Sequence, residues 1–124
     1  MKLQGLFIAN TIVSVPFGVG SVLVPNLFLS LFGGTLTPAG AVMMQYGGAW
    51  LIGVGLLTWF TRNVADSGTL RAICWALLPA YLVALVVSVV GQLGGVLNAL
   101  GWMPVVIQLL FAFGFGTYLL KAPR

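Results

Sequence analysis

Charge is what this chain has least of. Of its 124 residues only Lys2, Arg62, Asp66, Arg71, Lys121 and Arg124 carry charge, there is no histidine, and Asp66 and Cys74 are the sole acid and the sole cysteine. A soluble domain commonly has about a quarter of its residues charged. Six charges cannot solvate a globule in which 60% of positions are apolar and the mean hydropathy is +1.14. The chain therefore belongs in a bilayer, and its length allows a single domain over residues 1–124. Without histidine or a buried acid there are no ligands for a zinc or haem site and no base for a serine or cysteine nucleophile. No enzyme and no cofactor is expected. The single cysteine rules out an internal disulfide, and as an apolar filler near one end of a span Cys74 needs no further role.

The charges divide the chain. They leave 59 uncharged residues from Leu3 to Thr61 and 49 from Ala72 to Leu120. A helix needs about 20 apolar residues to cross the hydrocarbon core, so each block holds two spans. The expected fold is thus all-α and integral to the membrane, with four transmembrane helices arranged as two hairpins. An even span count per block puts every Lys and Arg on one side of the membrane. By the positive-inside rule that side is the cytoplasm, with both termini there. Five basic residues scattered over three short segments make no nucleic-acid surface. The start, Lys2 and an apolar run reaching Gly18 and Gly20 before Ser21, has the outline of a secretory signal. It is read here as the first span.

Local signals place the elements. Span one is expected from Leu6 to Val24, with Pro16 inside. Pro25 to Phe32 reads as an amphipathic helix at the outer interface, with Leu27, Phe28, Leu31 and Phe32 on one face. Gly33-Gly34 ends it, and Thr37 followed by Pro38 makes an N-cap and first helical position for span two, which runs to about Phe60. Ser67 or Thr69 is the expected cap of span three, from about Thr69 to Gly91 with Pro79 near its middle. The connection Gln92 to Met103 places Leu93, Val96, Leu97 and Leu100 on one helical face, so a second amphipathic helix lying on the membrane, or an extension of span three, is expected there. Span four runs from Pro104 to about Leu120. Asp66, in the loop between two arginines, is expected to form a solvated ion pair.

Lines of small and polar residues at spacing four are the packing signal in lipid. The longest is Ala72, Ala76, Ala80, Ala84, Ser88 and Gln92 in span three, which predicts that span three is central and that Ala80→Leu is far more disruptive than Leu82→Ala. Shorter lines are Ala41, Gln45, Ala49 and Gly53 in span two, Gln108, Ala112 and Gly116 in span four, and Asn10, Ser14 and Gly18 in span one. Each line carries an amide, Asn10 toward the cytoplasmic half and Gln45, Gln92 and Gln108 toward the outer half. Two readings stand. The amides bridge helices for about 1 kcal/mol or less each, or Gln45, Gln92 and Gln108 line a polar pocket walled by Tyr46, Trp50 and Tyr81.

Proton-coupled antiporters of this size need a carboxylate within the membrane, and none is present. Small multidrug antiporters thus match in length and span count alone, and four-span fluoride channels match in length while their polar signature has no counterpart in these spans. The segment Pro25 to Gly34 (PNLFLSLFGG), followed by Gly47-Gly48, Leu51, Gly53, Gly55 and Trp59, resembles a family of small uncharacterised four-span bacterial membrane proteins, DoxX-like in layout. The resemblance covers the first half of the chain. It implies four spans in a bacterial inner membrane and no reaction, and no functional residue is carried over from it. Loops this short cannot bind a soluble partner over a standard interface. Partners are then membrane lipids and other transmembrane helices, in a homo-oligomer or a larger membrane complex. The function expected is that of a non-enzymatic accessory or assembly subunit, or of a binder of a lipid or hydrophobic ligand. The alternative is a small oligomeric channel or transporter for a neutral or weakly anionic solute.

Overall fold

Backbone groups inside a bilayer have no water to bond, so an apolar run there must satisfy them within a helix. A computed structural model describes residues 2–121 and shows this outcome. Four helices are long and apolar enough to cross a membrane: α1 (Leu3–Leu23), α3 (Pro38–Thr61), α4 (Ser67–Leu93) and α5 (Trp102–Lys121), the last entered through a 3₁₀ turn at Ala99–Gly101. A short helix, α2 (Pro25–Ser30), lies in the first outer connection, and all regular structure among the described residues is helical. At 1.5 Å per residue, the 21 residues of α1 extend about 32 Å, enough for the hydrocarbon core.

The helix starts follow from hydrogen-bond chemistry. The Thr37 hydroxyl accepts from the Gly40 N–H at 3.0 Å with Pro38 at the first position of α3, as the sequence predicts. For α4 the cap is Asp66, in place of the expected Ser67 or Thr69. Its carboxylate accepts from the Thr69 N–H at 3.0 Å and from the Thr69 hydroxyl at 2.6 Å. A negative group also suits the positive end of a helix dipole, which a hydroxyl cannot match. The expected ion pair is thereby replaced: Asp66 is a cap, while the Arg62 guanidinium lies 3.6 Å from the Trp59 ring centroid and Arg71 donates to the Leu119 carbonyl at 3.3 Å.

Packing divides the chain into two hairpins, α1 with α3 and α4 with α5, which meet along α1 and α5. The first hairpin is held by backbone contact. A Cβ on Gly18 would lie 2.6 Å from the Gly48 carbonyl, and one on Gly48 would lie 2.8 Å from the Gly18 carbonyl. Glycine is therefore required at both, the close approach that favours helix association in lipid. Seven residues further along α3, a Cβ on Gly55 would meet the Val15 side chain at 2.6 Å. The second hairpin uses large side chains: Tyr81 stacks on Phe111 at 5.2 Å between centroids, and Cys74, Leu77, Phe115 and Leu119 are buried around them.

Two expectations about faces are corrected. Ala72, Ala76 and Ala80 are exposed, whereas Ala84, Ser88 and Gln92 are half-buried. The expected span-three line does not hold α4 to its neighbours along its length. The reason is geometric, because each step of four residues turns about 40° past a full circle, so five steps sweep about 200°. Ala80 and Leu82 are both exposed in the single chain, so packing within it gives no basis for the contrast between them. In α3, likewise, Ala49 and Gly53 are exposed, and the packed positions Gly48, Gly55 and Thr58 are spaced by seven and by three. The central helix is α1, which buries Leu6, Phe7, Asn10, Ser14, Gly18 and Ser21 and touches α2, α3 and α5.

At the end of the bundle away from the charged residues, Phe28 meets Phe17 edge-on at 5.4 Å and Phe32 at 5.8 Å, while Leu27 and Leu31 are exposed. The four residues expected on one face thus split between protein and surroundings. The second connection holds the 3₁₀ turn in place of the expected amphipathic helix. Asn98 explains why: its N–H donates to the Phe32 carbonyl at 2.7 Å and its side-chain amide to the Leu31 carbonyl at 3.1 Å. This latch ties the two outer connections together and stops a helix from forming through residue 98. Gly33 accommodates it with φ of 79°, where a Cβ would press on Asn98 at 3.1 Å. At the opposite end, Gln4 donates to Asn63 at 2.6 Å, and Lys2, Arg62, Arg71 and Lys121 gather there by the helix order. Arg124 lies outside the described residues.

Gly48→Ala should destabilise the fold in detergent by about 1–3 kcal/mol through overpacking, whereas Gly53→Ala, with open space around it, should be neutral or slightly stabilising. Thermal unfolding followed by circular dichroism checks the pair; equal effects would remove the role given to the Gly18 and Gly48 contact. The Asp66 carboxyl is held below its ordinary value of 3.8, first by the Thr69 hydroxyl and then by the Thr69 N–H. A lowered value in the folded state means that the stabilisation is present above the unfolded value and lost as pH falls through the folded one. Asp66→Ala should therefore lower the unfolding midpoint at pH 7, and the gap from the parent chain should close as the pH is brought below 3.8.

Candidate functional site

Of the polar side chains that α1 buries, Ser21 donates to the Phe17 carbonyl of its own helix, whereas the other two form a network centred on Asn10. Asn10, fully buried, donates from Nδ2 to the Thr58 hydroxyl of α3 at 3.1 Å and accepts at Oδ1 from the Tyr81 hydroxyl of α4. Ser14, one turn along, donates to the same Oδ1 at 3.5 Å. Thr11 donates to the Gly55 carbonyl at 2.8 Å or the Phe7 carbonyl at 3.0 Å, and it lies 2.9 Å from the Thr58 hydroxyl. A single amide thus joins three helices. In lipid such a network is stable because every buried donor has an acceptor.

Beside this network lies a cavity of about 90 Å³ to which all four long helices contribute. Val13, Leu51 and Ile107 form apolar walls, and Ser14, Tyr81 and Gln108 bring the polar groups. The donor hydrogens of Ser14 and Tyr81 are already committed to Asn10. Gln108 Oε1 is buried and has no donor. A buried acceptor left unpaired costs about 1–3 kcal/mol, and this oxygen is closed off from the cavity that the rest of the residue lines.

A second space adjoins the first. Between α1 and α5 runs a groove of about 450 Å³, bounded by Leu6, Val13, Ile107, Phe111, Phe113 and Thr117 among others. Val13 and Ile107 line both spaces. These two side chains form a wall common to the cavity and the groove. The groove's volume falls in the range of about 300–1,000 Å³ usual for small-molecule sites. Below the cavity, Phe7 and Phe115 are fully buried with centroids 6.1 Å apart and fill the seam between the hairpins.

The structure brings together two of the six ligand-site residues expected from sequence, Tyr81 and Gln108. Gln45 instead donates to the Val22 carbonyl at 3.0 Å and bridges α3 to α1. Tyr46 and Trp50 are 61% and 78% exposed, so they wall no pocket within the chain. Spacing four sets Tyr46 and Trp50 on one face of α3, and that face is exposed rather than packed against α1. Gln92 belongs to the outer turn, where Nε2 donates to the Asn98 carbonyl at 2.8 Å and Oε1 is buried near Gly101 without a donor. Thr11 and Thr58 were missed by sequence reasoning. Their signal was available, since a threonine in a span commonly bonds a carbonyl one turn back and keeps its oxygen for a neighbour.

Among the described residues no cluster of His, Cys, Asp and Glu could hold a metal. The site offers hydrogen-bond acceptors, aromatic faces and an apolar groove, a combination suited to binding. No protein family matches the chain, and no curated protein or solved structure is detectably similar to it.

Asn10→Ala should cost about 1–3 kcal/mol, because it strands partners on two other helices. Tyr81→Phe removes one link and should cost about 0.6 kcal/mol, the average for an interhelical bond in a membrane. A double-mutant cycle in detergent checks the coupling; strictly additive effects would show that the two side chains do not share a bond.

Proposed function

We propose that this chain is a non-enzymatic, multi-pass protein of a bacterial inner membrane that holds a lipid or other hydrophobic ligand between α1 and α5, as an accessory or assembly subunit of a larger membrane complex or a homo-oligomer. The observation that carries this reading is the apolar groove between α1 and α5, beside a smaller cavity with polar side chains in its lining. Packed interiors leave few voids larger than a water molecule, so a groove of about 450 Å³ at a helix seam calls for an occupant. Both termini are placed in the cytoplasm, which is supported by Lys2, Arg62, Arg71 and Lys121 at one end of the bundle. The DoxX-like layout of the first half supports the bacterial setting. Contacts with other transmembrane helices suit the exposed side of α4, where Ala72, Ala76 and Ala80 would allow close approach.

The alternative, a small channel or transporter for a neutral solute, draws on the polar lining of the cavity. Within one chain its path would meet Phe7 and Phe115, so it would have to run between copies. Native mass spectrometry from mild detergent tests the two readings together with flux in liposomes. A stoichiometric lipid or a co-purifying complex is the expected result. Specific solute flux from a lipid-free oligomer would overturn the proposal in favour of the alternative.

A further inference from the structure

We infer that α3 carries a self-association ridge, and that two copies of this chain pair in parallel along Met43, Tyr46, Trp50, Gly53, Leu57 and Phe60. This pairing rests on the chain being a multi-pass membrane protein and not on the groove, which none of these residues lines. Their spacing alternates three and four, the 3.5-residue period that two helices keep facing each other by a slight left-handed coiling. Spacing four alone rotates off such a line. All six residues are exposed, with Met43, Tyr46, Trp50 and Phe60 at 61–78%.

Lipid is a poor cover for this ridge. Of the four spans α3 is the least apolar, and none is less buried within the chain. Trp50 stands at the middle of Pro38–Thr61, far from the interfaces where tryptophan and tyrosine concentrate. Neither its indole N–H nor the Tyr46 hydroxyl has a hydrogen-bond partner among the described residues, and hydrocarbon offers none. The exposed side of α5 differs, since Val106, Leu109, Leu110 and Phe113 carry nothing polar and suit lipid.

Small residues beside the rings point to a second copy as the occupant. In a parallel pair each ridge side chain enters a hole between four residues of the facing helix. Trp50 meets Tyr46, Ala49, Trp50 and Gly53 of the other copy, and Tyr46 meets Met43, Tyr46, Gly47 and Trp50. Room in these holes comes from Ala49, Gly53 and Gly47, all exposed, and a Cβ on either glycine would meet nothing within 4 Å in the single chain. A glycine inside a helix costs about 1 kcal/mol against alanine. Close contact within the chain accounts for Gly18, Gly48 and Gly55 but not for Gly47 and Gly53. Across the pair the Trp50 N–H can donate to the Tyr46 oxygen. With aromatic side chains of about 150–250 Å² each, the ridge presents roughly 600 Å² per copy, about 1,200 Å² in a pair, where specific interfaces begin.

The test uses the full chain with Cys74→Ala, reconstituted in phosphatidylcholine vesicles, and one cysteine introduced by Met43→Cys, Leu57→Cys, Val83→Cys or Val106→Cys. Oxidation should give a disulfide-linked dimer from the first two and little from the last two, which are exposed on α4 and α5. Gly53→Leu fills the hole for Trp50 yet has open space in the single chain, so circular dichroism should show the fold kept. It should raise the dissociation constant of the dimer about tenfold or more, as overpacking of a fitted contact does. Equal cross-linking at all four positions, or at Val83 and Val106 instead, would overturn the proposal. So would a chain that is monomeric by single-molecule photobleaching, or ridge cysteines that link only to a different protein in the native membrane. Unchanged dimerisation of Gly53→Leu would overturn it as well. Native mass spectrometry reads lipid in the groove separately, so a dimer with an empty groove would remove the lipid-holding role and leave the pair standing.

Discussion

Helices in lipid gain little by hiding apolar surface from one another, because the lipid is as apolar as their side chains. What holds them is close contact, and here the closest is the mutual approach of Gly18 and Gly48, where each glycine faces the other's carbonyl. That contact fixes the separation and register of α1 against α3. With the register set, Thr11 reaches the Gly55 carbonyl and Asn10 reaches Thr58 further along the same pair. Asn10 then has an acceptor oxygen left for Tyr81, which brings α4 to the first hairpin. The second hairpin is packed on different terms, with stacked rings at Tyr81, Phe111 and Phe115 in place of glycine contact. Bulky rings fill the seam where they meet Phe7 and leave it open elsewhere. Cavity and groove are thus the consequence of joining a tight hairpin to a loose one.

Two amides show how differently the same chemistry is used. Asn10 is fully buried and its partners account for both ends of the amide. Its network is complete, and a complete buried network specifies arrangement. Gln108 is placed against the cavity with a buried oxygen that meets no donor. Gln92 shares that condition at its oxygen, but it sits in an outer turn whose other bonds already define it as structural. The distinction between the three lies in what each faces. Of the three only Gln108 lines the cavity, and its oxygen is closed off from it.

The architecture was legible because charge placement in a membrane protein is nearly a diagram of its topology. Two long uncharged blocks could only be two pairs of spans, and Thr37 with Pro38 marked a helix start that the backbone adopts. Faces were much less legible. Spacing four follows a helix surface for about two or three turns before rotating off it, which suffices for Asn10, Ser14 and Gly18 and fails for Ala72 through Gln92. The aromatic contacts were hidden for another reason: a chain that is 12% aromatic has many candidate walls, and nothing local separates Tyr81, which packs, from Tyr46, which does not. Asp66 was misjudged because its neighbours in sequence are arginines, whereas the backbone amides of its own helix lie closer than either guanidinium.

Position on the seam also bears on how a ligand would arrive. The hairpins are tied at the outer end by Asn98 against Leu31 and Phe32, and near the middle by Asn10 and Tyr81. Along α1 and α5 the two meet through side chains, and the groove there opens sideways from the bundle, past exposed Leu110 and Phe113. A hydrophobic molecule can therefore enter from the hydrocarbon without crossing water and without breaking a hydrogen bond of either tie. A polar solute coming from the outer face would first meet the Asn98 latch and the Phe28 and Phe32 rings. The easier approach is lateral, which favours a ligand already dissolved in the bilayer.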